Sequence, residues 1–91
     1  MNPLTACRYL ISGRVQGVGF RAFAARAARE TGVTGWARNL GDGRVEVHAN
    51  GLPGQLNEFE ARLRKGPPWA DVRGFESEPA AVIRASGFDI R

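Results

Sequence analysis

Residues 7–12 alternate, with Cys7, Tyr9 and Ile11 facing one way and Arg8, Leu10 and Ser12 the other. A period of two predicts a strand with one buried face. From Phe20 the period changes. Phe20, Phe23, Ala24, Ala27 and Ala28 recur at helical spacing, while Arg21, Arg26, Arg29 and Glu30 fall elsewhere on the wheel. That predicts an amphipathic helix, which Gly32 ends. Residues 33–40 read as a second strand. The turn Leu40-Gly41-Asp42-Gly43 follows, and Asp-Gly favours positive φ. Residues 44–49 alternate again, with Val45, Val47 and Ala49 set against Arg44, Glu46 and His48. Strands two and three therefore predict a hairpin.

Pro53 marks a second helix start, and Leu56, Phe59 and Leu63 give it an apolar stripe. Gly66-Pro67-Pro68 stops it. Residues 70–76 read as a fourth strand with Val72 pointing inward. Residues 87–91 read as a short last strand carrying Phe88 and Ile90. Residues 77–86 fit a strand extension or a loop, with Val82 and Ile83 ambiguous between the two. The order is β-α-β-β-α-β plus one short strand. It predicts the split βαβ arrangement, a mainly antiparallel sheet with two helices on one face.

Length adds little freedom: 91 residues predict one domain over 1–91. The net charge of +4 favours anionic ligands but does not single out nucleic acid. The one cysteine allows no internal disulfide, which fits a reducing compartment. No apolar run approaches the roughly 18–20 residues of a membrane span. The first ten residues lack the pattern of a signal peptide. A cytoplasmic protein is expected, with no membrane association.

The candidate chemistry lies between the first strand and the first helix, in Gly13-Arg14-Val15-Gln16-Gly17-Val18-Gly19-Phe20-Arg21. Glycines expose backbone N–H groups that can cradle an anion. A helix N-terminus adds free N–H groups and partial positive charge. Arg21, in the first turn, adds a planar fork of donors suited to a tetraoxo anion. The loop reads as a phosphate site.

Competing motifs fail. Gly17-x-Gly19-x-x-Ala22 fits the dinucleotide fingerprint, and Asp42 lies about where a ribose-binding acid would. The second strand runs straight into a hairpin, however, whereas that fold needs parallel crossovers. No Gly-Lys-Ser/Thr is present for a Walker loop. Cys7 precedes the loop rather than opening it, so it reads as a core side chain and not a phosphatase nucleophile. Arg73-Gly74-Phe75 echoes an RNA-binding strand, but Glu76, Ser77 and Glu78 follow where aromatics should be. His48 has no ligand partners at metal spacing and reads as an exposed strand residue. Trp36 and Trp69 read as packing residues.

Asn39 precedes the hairpin turn. Asparagine favours turns, yet strands one and two belong to one βαβ unit, so Asn39 could also lie close to the glycine loop and Arg21. Both readings stand on these grounds.

Taken together, residues 13–21 and the stretch Gly35-Trp36-Ala37-Arg38-Asn39-Leu40-Gly41-Asp42-Gly43-Arg44-Val45-Glu46 strongly resemble the acylphosphatase family. That family's pattern is a GxVQGVxxR loop, a Gly-Trp-x-x-Asn strand ending and an Asp-Gly hairpin. Residues 66–72 are similar as well. Ala37 stands where a larger aliphatic is common, and Gly19 falls at a variable position. The resemblance implies a ferredoxin-like α+β sandwich, hydrolysis of small acyl phosphates, and no metal or cofactor. It implies that Arg21 binds the phosphoryl group and Asn39 orients the attacking water. Gln16, Gly17, Val18, Gly19 and Phe20 would complete the phosphate cradle with Arg21. A monomer is expected, with inorganic phosphate as product and inhibitor. The alternative is a non-catalytic anion- or RNA-binding module of the same fold. A domain acting only inside a larger maturation enzyme is a further rival, disfavoured by the lack of a linker.

Overall fold

The computed structural model describes residues 3–91. Residues 1 and 2, part of the expected domain span, lie outside the described residues. The elements are β1 (Thr5–Arg14), α1 (Phe20–Thr31), β2 (Thr34–Asn39), β3 (Val45–Gly51), α2 (Pro53–Lys65), β4 (Asp71–Ala80) and β5 (Phe88–Ile90). They form one five-stranded sheet in the order β4-β1-β3-β2-β5. β1 pairs antiparallel with β3 and β4, β2 antiparallel with β3, and β5 parallel with β2. This is the ferredoxin-like α+β sandwich that the element order predicts.

The alternation seen in the sequence decides the layers. Tyr9, Ile11, Val45, Val47 and Ala49 are fully buried from the sheet side, and Ala24, Ala28, Phe59 and Leu63 from the helix side. Small alanines let α1 lie close to the sheet, while Phe59 of α2 packs against Tyr9 at 6.1 Å between ring centroids. Cys7 is half-buried against this core, as expected of a core-side cysteine.

Helix ends follow their local chemistry. Gly32 adopts φ 80° and donates its N–H to Ala28 O, a left-handed cap that ends α1. At α2 the Gln55 side chain accepts from the Leu52 N–H at 2.9 Å, and Pro53 opens the first turn. The β1–β4 register shifts between Ser12 and Gly13. Gly13 sits at φ 114°, where an added Cβ would lie 2.2 Å from Asp71 O. Only glycine fits this close approach. The pairing resumes past the irregularity as Gly13↔Val72 and Arg14↔Asp71, and β1 then runs into the glycine loop.

The open face of the sheet is polar but not empty. Glu46, on β3, is buried between arginines: Arg8 Nε donates to its Oε2 at 2.5 Å and Arg38 Nε to its Oε1 at 2.6 Å. Burial pushes the Glu46 carboxyl up, but the hydrogen bonds from Arg8 and Arg38 outweigh it and hold the carboxyl below the usual range. Residues 81–87 connect β4 to β5. Asn50 binds this segment at both backbone groups of Ile83, accepting from its N–H at 3.0 Å and donating to its oxygen at 2.8 Å. His48 meets Ala81 O at 2.9 Å.

Three expectations change. The ambiguous stretch divides, with 77–80 extending β4 and Val82 and Ile83 in the connection. His48 is half-buried, its ring 5.8 Å from Trp36. Trp69 is no packing residue, being 77% exposed at the α2–β4 turn. Trp36 does pack, beneath the guanidinium groups of Arg38 (5.2 Å) and Arg91 (4.8 Å).

Candidate active site

Three chain segments meet at one end of the sandwich. The loop after β1 supplies Gly17 and Gly19, the first turn of α1 supplies Arg21 and Ala22, and the strands beside them supply Asn39 and Ile90. Together these six residues line a cleft of about 310 Å³. The β1-α1-β2 path brings Arg21 and Asn39 into the same cleft although 18 positions separate them in sequence.

Gly17 and Gly19 adopt φ 74° and 77°, and a Cβ on either would meet nothing within 4 Å. Their role is therefore conformational: positive φ at alternating positions points successive N–H groups to one side. Gly19 is also the N-cap of α1 and provides no side-chain acceptor. The first N–H groups of α1 have no partner within the helix, so the start of α1 presents donors rather than satisfied groups. Phe20 is buried beneath the loop, its ring centroid 6.0 Å from that of Phe23. Val18 is half-buried against the core. Both anchor the loop through their side chains, leaving their backbone as the part suited to an anion.

Arg21 is half-buried, and its Nη1 donates to the main-chain oxygen of Arg91 at 2.9 Å. The β5 segment is itself fixed to β2, because Arg91 N donates to Ala37 O at 2.8 Å. Asn39 ends β2 opposite Val45 and is exposed. Gln16 differs from its loop neighbours. Its side-chain Nε2 donates to Leu40 O at 2.8 Å and to Arg44 O at 3.0 Å, reaching the β2–β3 hairpin.

Of the site residues expected from sequence, Gly17, Gly19, Arg21 and Asn39 line the cleft, while Gln16, Val18 and Phe20 support its loop. Ile90, Ala22 and the Arg91 oxygen were not foreseen. No sequence signal marks Ile90, since only the parallel register Ala37↔Ile90 carries it beside β2. Among the described residues no group of three or more His, Cys, Asp or Glu side chains could hold a metal ion. The arrangement is a set of backbone and guanidinium donors with one neutral amide beside them. It can bind a phosphoryl group and orient a small polar molecule against it.

Known proteins are similar to this chain over nearly its whole length. The family model described as Acylphosphatase matches residues 7–90. An acylphosphatase of Solibacter usitatus (strain Ellin6076) is 53% identical over 91 residues, covering all of this chain and 95% of that protein. The structure of an acylphosphatase from Coxiella burnetii is similar at TM-score 0.93 and 37% identity, covering 99% of this chain and 94% of that one. The acylphosphatase structure from Bacillus subtilis gives TM-score 0.91 at 33% identity, covering 98% and 99%. With a matched family model over nearly its whole length and these identities, the chain belongs to the acylphosphatase family, hydrolases acting on acid anhydrides.

Proposed function

We propose that this chain hydrolyses small acyl phosphates at the cleft between the glycine loop and Asn39. The observation that carries the proposal is the convergence of Arg21, Asn39 and two positive-φ glycines on one cleft. The phosphoryl group sits against the N–H groups of residues 16–20, with the Arg21 fork on its equatorial oxygens. These donors are in place before reaction and strengthen as charge shifts in the transition state. The Asn39 amide holds a water in line with the P–O bond. Orientation is its contribution, so it needs no basicity.

Water oxygen bonds to phosphorus as the bond from phosphorus to the carboxyl oxygen breaks, and that electron pair leaves with the carboxylate. A carboxylic acid has a pKa near 4, so the leaving group requires no proton at neutral pH. The proton lost by the water passes to a phosphoryl oxygen. A site without a histidine, a cysteine or paired carboxylates is sufficient for this chemistry.

The same proposal takes residues 1–91 as one domain that acts as a monomer in the cytoplasm. Inorganic phosphate is its product and inhibitor, and no metal or cofactor is used. The test is benzoyl phosphate hydrolysis by the purified chain after exhaustive EDTA treatment, with benzoate and phosphate released one to one. A folded protein that binds phosphate without turnover would favour a non-catalytic anion-binding module instead. A requirement for added Mg²⁺ or Zn²⁺ would overturn the metal-free mechanism.

A further inference from the structure

Gln16 lies within the glycine loop, yet its side-chain amide is engaged by the neighbouring hairpin. A primary amide has two N–H donors. Here Nε2 finds two acceptors, Leu40 O at 2.8 Å and Arg44 O at 3.0 Å. Those two residues close the β2–β3 hairpin, with Leu40 N donating to Arg44 O at 2.8 Å. Leu40 directly follows Asn39. One side chain from the phosphate loop therefore holds the peptide next to the water-orienting residue.

The turn beyond Leu40 closes only on itself, Gly43 N donating to Leu40 O at 3.2 Å and Arg44 N to Asp42 Oδ1 at 3.1 Å, and these bonds do not set its distance from the phosphate loop. Gly41, Asp42 and Gly43 are exposed, and a Cβ on either glycine would meet nothing within 4 Å. Asn39 is the last residue of β2, so the ladder fixes it on one side only. In-line attack is sensitive to such freedom, because a 1 Å misplacement can cost about 10²-fold in rate.

We propose that Gln16 is a positioning residue that acts through Asn39, setting the spacing between the phosphate cradle and the oriented water. It does not hold the phosphoryl group with its side chain. This inference rests on the function proposed above. Gln16→Met keeps the length and removes both donors. Gln16→Glu presents a carboxylate to two carbonyl oxygens, and only its protonated form regains a donor.

The experiment uses the intact chain, with benzoyl phosphate for turnover and inorganic phosphate for binding. Gln16→Met is expected to lower kcat about 10-fold or more while phosphate affinity stays within about threefold. Added to Asn39→Ala, the same change is expected to cost less than about threefold, because both act on one water. The Gln16→Glu activity, relative to wild type at each pH, is expected to rise as the pH falls and the carboxyl protonates. The NMR signals of the Asn39 side-chain amide are expected to shift or broaden in Gln16→Met. Loss of phosphate affinity in step with kcat, full multiplication with Asn39→Ala, or an unmoved Asn39 signal would overturn the proposal. Absence of wild-type turnover would overturn the proposed function instead, and the tie would still be judged by the Asn39 signal.

Discussion

Arg21 donates from Nη1 to the main-chain oxygen of Arg91 at 2.9 Å, across 70 positions of sequence. The acceptor is itself held, since Arg91 N binds Ala37 O and the Arg91 guanidinium lies 4.8 Å from the Trp36 ring centroid. One prong of the Arg21 fork is thereby fixed to the β2–β5 edge. The guanidinium has five N–H donors in a rigid plane, so fixing one orients the others. β5 is a short strand, but it aims the principal cation of the cleft.

Arg21→Lys is expected to reduce both phosphate affinity and turnover. Lysine keeps the charge and loses the planar fork, so it cannot hold Arg91 and the phosphoryl oxygens in one geometry. Each charge-assisted hydrogen bond is worth about 1.5–3 kcal/mol. Losing one or two corresponds to roughly 10²-fold or more in kcat/KM for benzoyl phosphate. A lysine variant within a few-fold of wild type would remove Arg21 from the site.

Asn39→Ala is expected to separate binding from chemistry. In the proposed site the loop and Arg21 form the cradle without Asn39, so calorimetry should show inorganic phosphate still binding. Turnover should fall about 10²–10³-fold, the scale for losing one preorganised hydrogen-bonding group in the transition state. The residue is exposed at a strand end, so the fold should survive. Near-normal turnover would return Asn39 to the role of a turn residue, and lost phosphate affinity would make it a direct anion ligand.

Locally encoded features were legible before the structure. The period of Val45, Val47 and Ala49, the Asp-Gly turn and the glycines before Arg21 each act within a few residues, and each element they predict is present. β4 was legible only to Glu76 because it is an edge strand. Glu76, Ser77 and Glu78 are all exposed there, so burial imposes no alternation. Asn50 illustrates the opposite case. It reads as polar, yet it is buried, because Ile83 of the β4–β5 connection returns to bind it from 33 positions away. In the cleft, residue types were readable from the glycine loop and the family resemblance. The parallel β2–β5 pairing that brings in Ile90 and the Arg91 oxygen was not, since a short strand carries no record of its partner.

The Glu46 carboxyl offers a test through pH. Its folded value is held low by Arg8 and Arg38 against the upward push of burial. A group with a depressed folded pKa contributes stability above its unfolded value, near 4.3 for glutamate. That contribution is lost as the pH falls through the lower folded value. Urea unfolding of wild type and Glu46→Gln is therefore expected to show a stability gap at pH 7 that narrows on acidification below about pH 4. A gap independent of pH would mean that the ionised carboxylate is not what the two arginines stabilise.

Gly35 is expected to be the least replaceable residue of β2. It sits at φ 142° in register with Ala49, and an added Cβ would lie 1.9 Å from His48 O, 2.9 Å from His48 C and 3.1 Å from Ala49 Cα. All three atoms are backbone, so no side-chain rotation relieves the overlap. Alanine would force β2 away from β3, and β2 also carries Asn39 at its end and β5 on its far edge. Backbone strain and a disrupted ladder place the cost at about 3 kcal/mol. For a domain of this size each kcal/mol is worth roughly 4–8 °C, so Gly35→Ala should melt at least about 12 °C below wild type. Gly41→Ala is the control, because a Cβ there meets nothing within 4 Å and its φ lies outside the positive range that disfavours L residues. That variant should stay within about 0.5 kcal/mol of wild type, or gain slightly as the unfolded chain loses freedom. Thermal unfolding of both variants at one pH separates the two cases. Equal melting temperatures would mean that the β2–β3 pairing yields to a methyl group at Gly35 and that the tight approach of the strands is not required.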